Sequence, residues 1–353
     1  MKLRLSYYHC RCGAGQKPWD RQLRLTAQAL TPAAAQVVAQ AGVLASFADA
    51  AEKTLPTLCG LRVSESTVER TTEAAGQRRA EQLTAGQPSC PVSPWRWQRD
   101  AQGRRCAYVG LDATGVRQQG PGGARADGRM AAVGLIYNPR SAHDMVGTPP
   151  RQVRFLAGFY TLDEIGRQLR AQAEQVGWLE ADQQIALSDG GAGLEEVLGK
   201  FFPRAECILD FWHAKEHLVQ LAQAFWPHDE TARRPWLDAR CQQLKHQGGR
   251  AVLETLETME LADQPASVRD EHRRQTQYFR NHAHRMDYPR YLAQGWQIGS
   301  GPVESACKTV VGNRLKGGGM RWGHDGANAV CYLRALYLSQ PELWQAFWSQ
   351  HPN

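Results

Sequence analysis

Cys106-Ala107-Tyr108-Val109-Gly110-Leu111-Asp112-Ala113-Thr114-Gly115-Val116-Arg117 is the stretch on which the fold turns. It is apolar and bounded by turn-forming and charged residues, as a strand is, yet Asp112 stands in its middle. Aspartate is depleted in strands because its carboxylate competes for backbone donors and resists burial. An exposed edge strand is one explanation. The small and apolar neighbours favour the other, a central strand that keeps a carboxylate for use. Two further strand candidates follow, Met130 to Asn138 and Gln152 to Tyr160, which together with the first predict an antiparallel meander. After Thr161, Leu162, Ile165, Leu169, Ala173 and Val176 recur at helical spacing, and Gln184 to Ser188 reads as a short buried strand. A second step repeats this, helical from Leu194 to Phe202 and extended from Ala205 to Leu209. The order predicts an α/β fold, a mixed sheet with helices flanking both faces.

Beyond this, Ala214 to Arg285 has helical spacing throughout and no strand signal. Gly299-Ser300-Gly301-Pro302 is a loop that places Pro in the first turn of a new helix, where its missing N–H costs nothing. That helix is expected from Val303 to Arg314, stopped by Gly317-Gly318-Gly319, with a last one from Gly326 to Ser339.

On the other side of the opening stretch, residues 1–25 carry Lys2, Arg4, Arg11, Lys17, Arg21 and Arg24 against Asp20 alone. Thr26 to Leu83 is helical in pattern and broken at Gly60. Ser66-x-x-Glu69 reads as a capping box for a second helix, so the layout is that of a helix-turn-helix. Pro88, Pro91 and Pro94 mark a linker. The expected divisions are an arm (1–25), a helix-turn-helix domain (26–85), a linker (86–104), a core in two parts (105–213 and 298–340) around an all-helical insertion (214–297), and a tail (341–353).

The 353 residues carry 42 Lys+Arg against 35 Asp+Glu, a formal charge of +7 that favours an anionic partner. The 9 cysteines are odd in number and scattered, which argues against a disulfide framework and for a reduced, cytoplasmic setting. No apolar run approaches a membrane span, and the N-terminus lacks the apolar core of a signal peptide.

Three acidic residues stand out. Asp112 is described above. Asp189 ends a strand and opens Gly190-Gly191, at the carboxyl end where open α/β sheets place ligands, although Ser-Asp-Gly-Gly is also ordinary turn chemistry. Glu304 sits in a first helical turn, either as a capping carboxylate or, on one face with Lys308 and Val311, as part of a site handling metal and phosphate. Two hard cations need shared carboxylates to clamp the attacking and leaving oxygens of a phosphodiester, and two Asp with one Glu suffice. Asp210 and His213 could orient such ligands or simply bond each other at the sheet edge. Lys308, Arg314, Lys316 and Arg321 form a basic cluster suited to phosphate or to a solvated face. Arg70, Arg78 and Arg79 on the second N-terminal helix are placed to meet DNA. Trp212, Trp226 and Trp236 suit either base stacking or the core. His213 with His217, and His282 with His284, lack convincing metal spacing.

The segments YVGLDATGV, ALSDGGAGLEEVLGKFFPRAECILDFWHAKEHL and IGSGPVESACKTVVGNRLKGGGMRW resemble the DDE transposases of ISKra-type bacterial insertion sequences, relatives of the Mutator-like group. The likeness runs from about Tyr8 to the C-terminus. It implies an RNase H-like catalytic domain in which Asp112, Asp189 and Glu304 bind two Mg²⁺ or Mn²⁺ ions for cleavage and strand transfer. It also implies double-stranded DNA as partner, both terminal repeats and target, a homo-oligomer on that DNA, and a nucleoid-associated location. Such proteins commonly begin with a longer, cysteine-richer region, so Cys10-x-Cys12 looks like half of a Zn²⁺ site that a longer N-terminal form completes. Two alternatives are a catalytically inert DNA-binding protein and an RNase H-like nuclease without strand transfer.

Overall fold

The computed structural model describes residues 7–87, 93–139 and 152–350. Lys2 and Arg4 of the basic arm and Pro88 and Pro91 of the linker lie outside the described residues. A two-residue hairpin pairs β1 (Tyr8–His9) with β2 (Gly15–Gln16). The main sheet holds β3 (Cys106–Gln119), β4 (Arg125–Tyr137), β5 (Val153–Gly158), β6 (Gln183–Ser188) and β7 (Glu206–Leu209), in the order β5-β4-β3-β6-β7. β3, β4 and β5 form the expected antiparallel meander, while β6 and β7 run parallel to β3. Parallel neighbours need crossovers, and the helices Leu162–Gln175 and Leu194–Phe201 supply them. The protein is therefore α/β with a mixed five-stranded sheet, and β3 lies at its centre.

Alternation along β3 divides the core. Ala107, Val109 and Leu111 face Ile165, Leu169, Val197 and Leu198 of the two crossover helices. Ile165 and Leu169 are fully buried, each contributing about 1.5–3 kcal/mol. Tyr108 and Val116 face the other way, toward Leu218, Phe279, Val303 and Val310. Those residues come from the helical block, whose helices are Phe211–Phe225, Glu230–Gln247, Gly249–Glu257 and Ala266–His282, and from the segment that follows it. The block thus covers one end of this second face.

In the N-terminal part, Thr31 caps Pro32–Leu44 by accepting from Ala34 N–H, and Gly60 closes Leu55–Cys59 at φ 62°. The next helix is Glu65–Thr84. Ser64, not Ser66, is its cap, because the Ser64 hydroxyl accepts from Thr67 N–H at 3.2 Å. This helix packs against Pro32–Leu44 and against His324–Leu338. The C-terminal tail is itself the helix Pro341–Ser349, and Trp344, Phe347 and Trp348 are buried with the N-terminal helices. Among the described residues no helix is long and apolar enough to cross a membrane.

Candidate active site

The parallel register of β3 and β6 decides where the acids fall. Gly110 lies opposite Leu187, and two residues further along each chain are Asp112 and Asp189. The register of β6 and β7 sets Ser188 opposite Leu209, so Asp210 takes the next place in the same row. Asp112, in the middle of β3, is thus level with Asp189 and Asp210, each of which directly follows the last residue of its strand. Asp112 is half-buried on the central strand, which excludes the edge-strand explanation.

The Asp112 carboxyl is held above its ordinary range by burial, opposed by the Ala113 N–H and pushed further up by Asp189. Its Oδ1 accepts from Ala113 N–H at 2.6 Å, and its Oδ2 accepts from the Cys307 thiol at 3.4 Å. Asp189 Oδ1 accepts from Gly191 N–H at 2.8 Å, a local turn bond. His213 lies within electrostatic reach of Asp112 and 3.5 Å from Glu216.

Helix packing places the segment that carries Glu304, although among the described residues the Glu304 carboxylate does not converge with Asp112 and Asp189 as a three-ligand group. Gly110 presents no Cβ, and one placed there would lie 2.2 Å from Val303 Cγ2. The helix Gly301–Ala306 therefore lies directly on β3, and its continuation places Cys307 on Asp112. Glu304 is one turn before Cys307 and exposed. Val311 does not share its face. The turn Cys307–Gly312 is π-helical, and its extra residue per turn rotates Val311 into the core, where it is fully buried.

Asp210 is a structural tie. Its Oδ1 accepts from Trp212 N–H at 3.0 Å, capping Phe211–Phe225, and its Oδ2 accepts from Ser300 Oγ at 2.6 Å. Phe211 N–H also donates to Ile298 C=O at 2.9 Å. The loop that launches the Glu304 helix is thereby tied to the end of β7. Asp210 does not bond His213, as one sequence reading had it. Arg285, buried in the helical block, donates to Ser188 Oγ at 2.6 Å and lies 3.3 Å from Glu195, anchoring the block beneath the Asp189 turn.

Several cations are placed differently from the sequence expectation. Arg79 is only 4% exposed, and Arg78 stacks 4.0 Å from the Phe347 ring centroid. The solvent face of Glu65–Thr84 carries Glu65, Glu69 and Glu81 beside Arg70, which makes it acidic. Arg314 is 2% exposed and donates to Gly42 C=O at 2.8 Å. It joins Arg334 in satisfying carbonyls at the C-terminus of Pro32–Leu44, a position where cations are favoured. Lys308, Lys316 and Arg321 are exposed as expected. Trp212 is 59% exposed over Gly299, whereas Trp226 and Trp236 pack on each other at 5.9 Å. His284 pairs with Glu195 at 2.6 Å.

Cys10 and Cys12 are exposed at the turn of the β1–β2 hairpin, and a hydrogen bond with Cys10 holds the Cys12 thiol below its ordinary value. Among the described residues no three His, Cys, Asp or Glu side chains already converge as an ion cage. The aspartate row does fit a hard divalent ion in kind, since it sets two oxygen donors side by side whose charges oppose each other. Cys307, Ser300 and Arg285 were not evident in the sequence as site residues. Only Ser300, beside a helix-opening Gly-Pro, carried a usable signal. No protein-family model matches the chain, and no curated protein matches it significantly.

Proposed function

We propose that the protein is a DDE-type transposase with an RNase H-like core, cutting and joining DNA at Asp112, Asp189 and Glu304. The observation that carries the reading is the alignment of Asp112 with Asp189 across two parallel strands, with the Glu304 helix laid on β3 beside them. Asp112, Asp189 and Glu304 would hold Mg²⁺ or Mn²⁺, which supplies activation of water or a 3′-hydroxyl and offsets charge on the phosphorus. Asp210 and Ser300 fix the loop that carries Glu304. Exposed Lys308 and Lys316 supply positive charge for a phosphate backbone. The helices on either side of Gly60 are the proposed helix-turn-helix, with Arg70 the exposed arginine of the three named on it. Partners under this reading are terminal-repeat and target DNA and a second copy of the chain on that DNA.

The test is nicking of a labelled duplex carrying candidate element ends, with Mg²⁺ or Mn²⁺, by the wild type and by Asp189→Asn. Metal-dependent nicks that vanish in the variant support the reading. Bound but uncut DNA overturns the catalytic part and leaves a DNA-binding protein, and nicking without joining leaves a nuclease.

A further inference from the structure

Past Asp112 the central strand continues alone with one partner. Pairing of β3 with β6 ends at Gly110 and pairing of β4 with β5 ends at Ala132. β3 and β4 stay paired as far as Gln119 and Arg125. A two-stranded ribbon therefore leaves the sheet, about 20 Å long at roughly 3.3 Å per residue. Isolated two-stranded ribbons are marginal in water, and this one is braced. Gln119 N–H donates to Trp322 C=O at 2.8 Å, and Trp322 N–H donates to Arg117 C=O at 3.2 Å. The Trp322 ring is buried against Phe47 and Arg314.

The charge on this ribbon is one-sided. Arg117, Arg125 and Arg129 are exposed along it against Asp127 alone. Lys316 stands at its root, where it donates to Thr114 Oγ1, two residues beyond Asp112, and Arg321 precedes Trp322, which is bridged to Gln118 near the far end. Arg129 is turned toward His324, at 2.9 Å. Among the described residues Arg117, Arg125, Lys316 and Arg321 enter no ion pair. A braced, narrow, basic ribbon rooted beside a row of carboxylates matches a polyanion better than an acidic protein face, because a duplex repeats its charge along the whole length of the ribbon. The major groove, about 12 Å wide, also admits such a ribbon.

We propose that the β3–β4 ribbon is a clamp for duplex DNA, holding the phosphate backbone beside the cut site through Arg117, Arg125 and Arg321 toward its far end and Lys316 at the root. This rests on the reading of the carboxylates as a DNA-cutting site, and it adds where the duplex lies.

The test measures binding of a labelled duplex to the full chain by fluorescence anisotropy, without divalent metal, over a range of salt. The forms compared are wild type, Asp189→Asn and the double variant Arg117→Ala/Arg125→Ala, whose two arginines are exposed. The expected result is weaker binding by about tenfold or more in the double variant, with the slope of log K against log salt reduced by about 2. Asp189→Asn keeps the wild-type slope. An unchanged slope in the double variant overturns the clamp, as does a wild type that binds no duplex. If the slope falls as expected but no form cuts DNA with metal, the clamp stands and the catalytic reading fails. If cutting is normal and the slope unchanged, the reverse holds.

Discussion

Asp112 and Asp189 each lie two residues beyond Gly110 and Leu187, the last registered pair of the parallel strands β3 and β6, so the two carboxyls come from neighbouring strands within electrostatic reach of each other. Burial and the neighbouring Asp189 both oppose ionisation of Asp112. Asp112→Asn is therefore expected to abolish metal-dependent cleavage while raising stability at neutral pH by on the order of 1 kcal/mol, the trade common at functional sites. Thermal unfolding and a cleavage assay on the same preparation check both halves. A variant that loses stability contradicts the assigned repulsion.

Gly110 sets the distance between β3 and the Glu304 helix. Gly110→Ala drives a methyl into Val303, and overpacking of this kind costs about 1–3 kcal/mol. Cleavage is expected to fall as Glu304 moves away from Asp112. Val303→Ala in the same chain makes room for the methyl, so the double variant should recover activity. Crystal structures or kinetics of all four forms would show no recovery if the contact does not govern the site.

Ser300 donates to buried Asp210, and this bond positions the loop before Glu304. Ser300→Ala is expected to cost about 1–3 kcal/mol by leaving an acceptor unpaired, and to lower the cleavage rate roughly 10–100-fold. Ser300→Thr, which keeps the hydroxyl, should retain most of the rate. Equal rates for Ala and wild type would sink the positioning role.

His217 is stacked on Tyr278 at 3.5 Å and bonded to Gln275 at 2.6 Å, and burial holds its pKa below the ordinary 6.5. The unfolded chain thus binds more protons than the folded one between the folded value and 6.5, so stability falls as pH drops through that window and the loss levels off below the folded value. His282 is shifted the same way, also chiefly by burial. Melting temperatures should drop as pH falls below about 6.5, and His217→Gln should flatten the drop.

Arg314 reads as a phosphate contact in the sequence but lies buried between the Phe47 and Trp322 rings, at 4.5 and 4.9 Å from their centroids. Arg314→Met is expected to destabilise by about 2–4 kcal/mol, through a lost charged hydrogen bond and lost packing. The salt slope of DNA binding should not change. A reduced slope in folded protein would restore the sequence reading.

The sheet was legible because its signals are local. Alternation and turn residues located the five strands within a few positions, and Asp112 stood out since a carboxylate in an apolar strand demands a reason. The parallel pairing that brings Asp189 to it depends on which strands become neighbours, and no short-range pattern carries that. Arginine burial was illegible for the same cause. Arg79 and Arg314 look like surface cations until the helices that cover them are in place. The π-helical turn after Ala306 hides equally well, because α-helical spacing predicts Val311 beside Glu304 and a single extra residue undoes it.

The helical block separates Asp210 from the Glu304 helix along the chain. During synthesis the β3–β4–β5 meander, then β6 and β7, emerge well before residue 304. At about 5–20 residues per second the ribosome needs several seconds to add the block. For that interval the nascent chain has the aspartate row and no Glu304, so the third carboxylate arrives only with a nearly finished protein. The placement of the block therefore separates the two parts of the candidate site in time as well as in sequence.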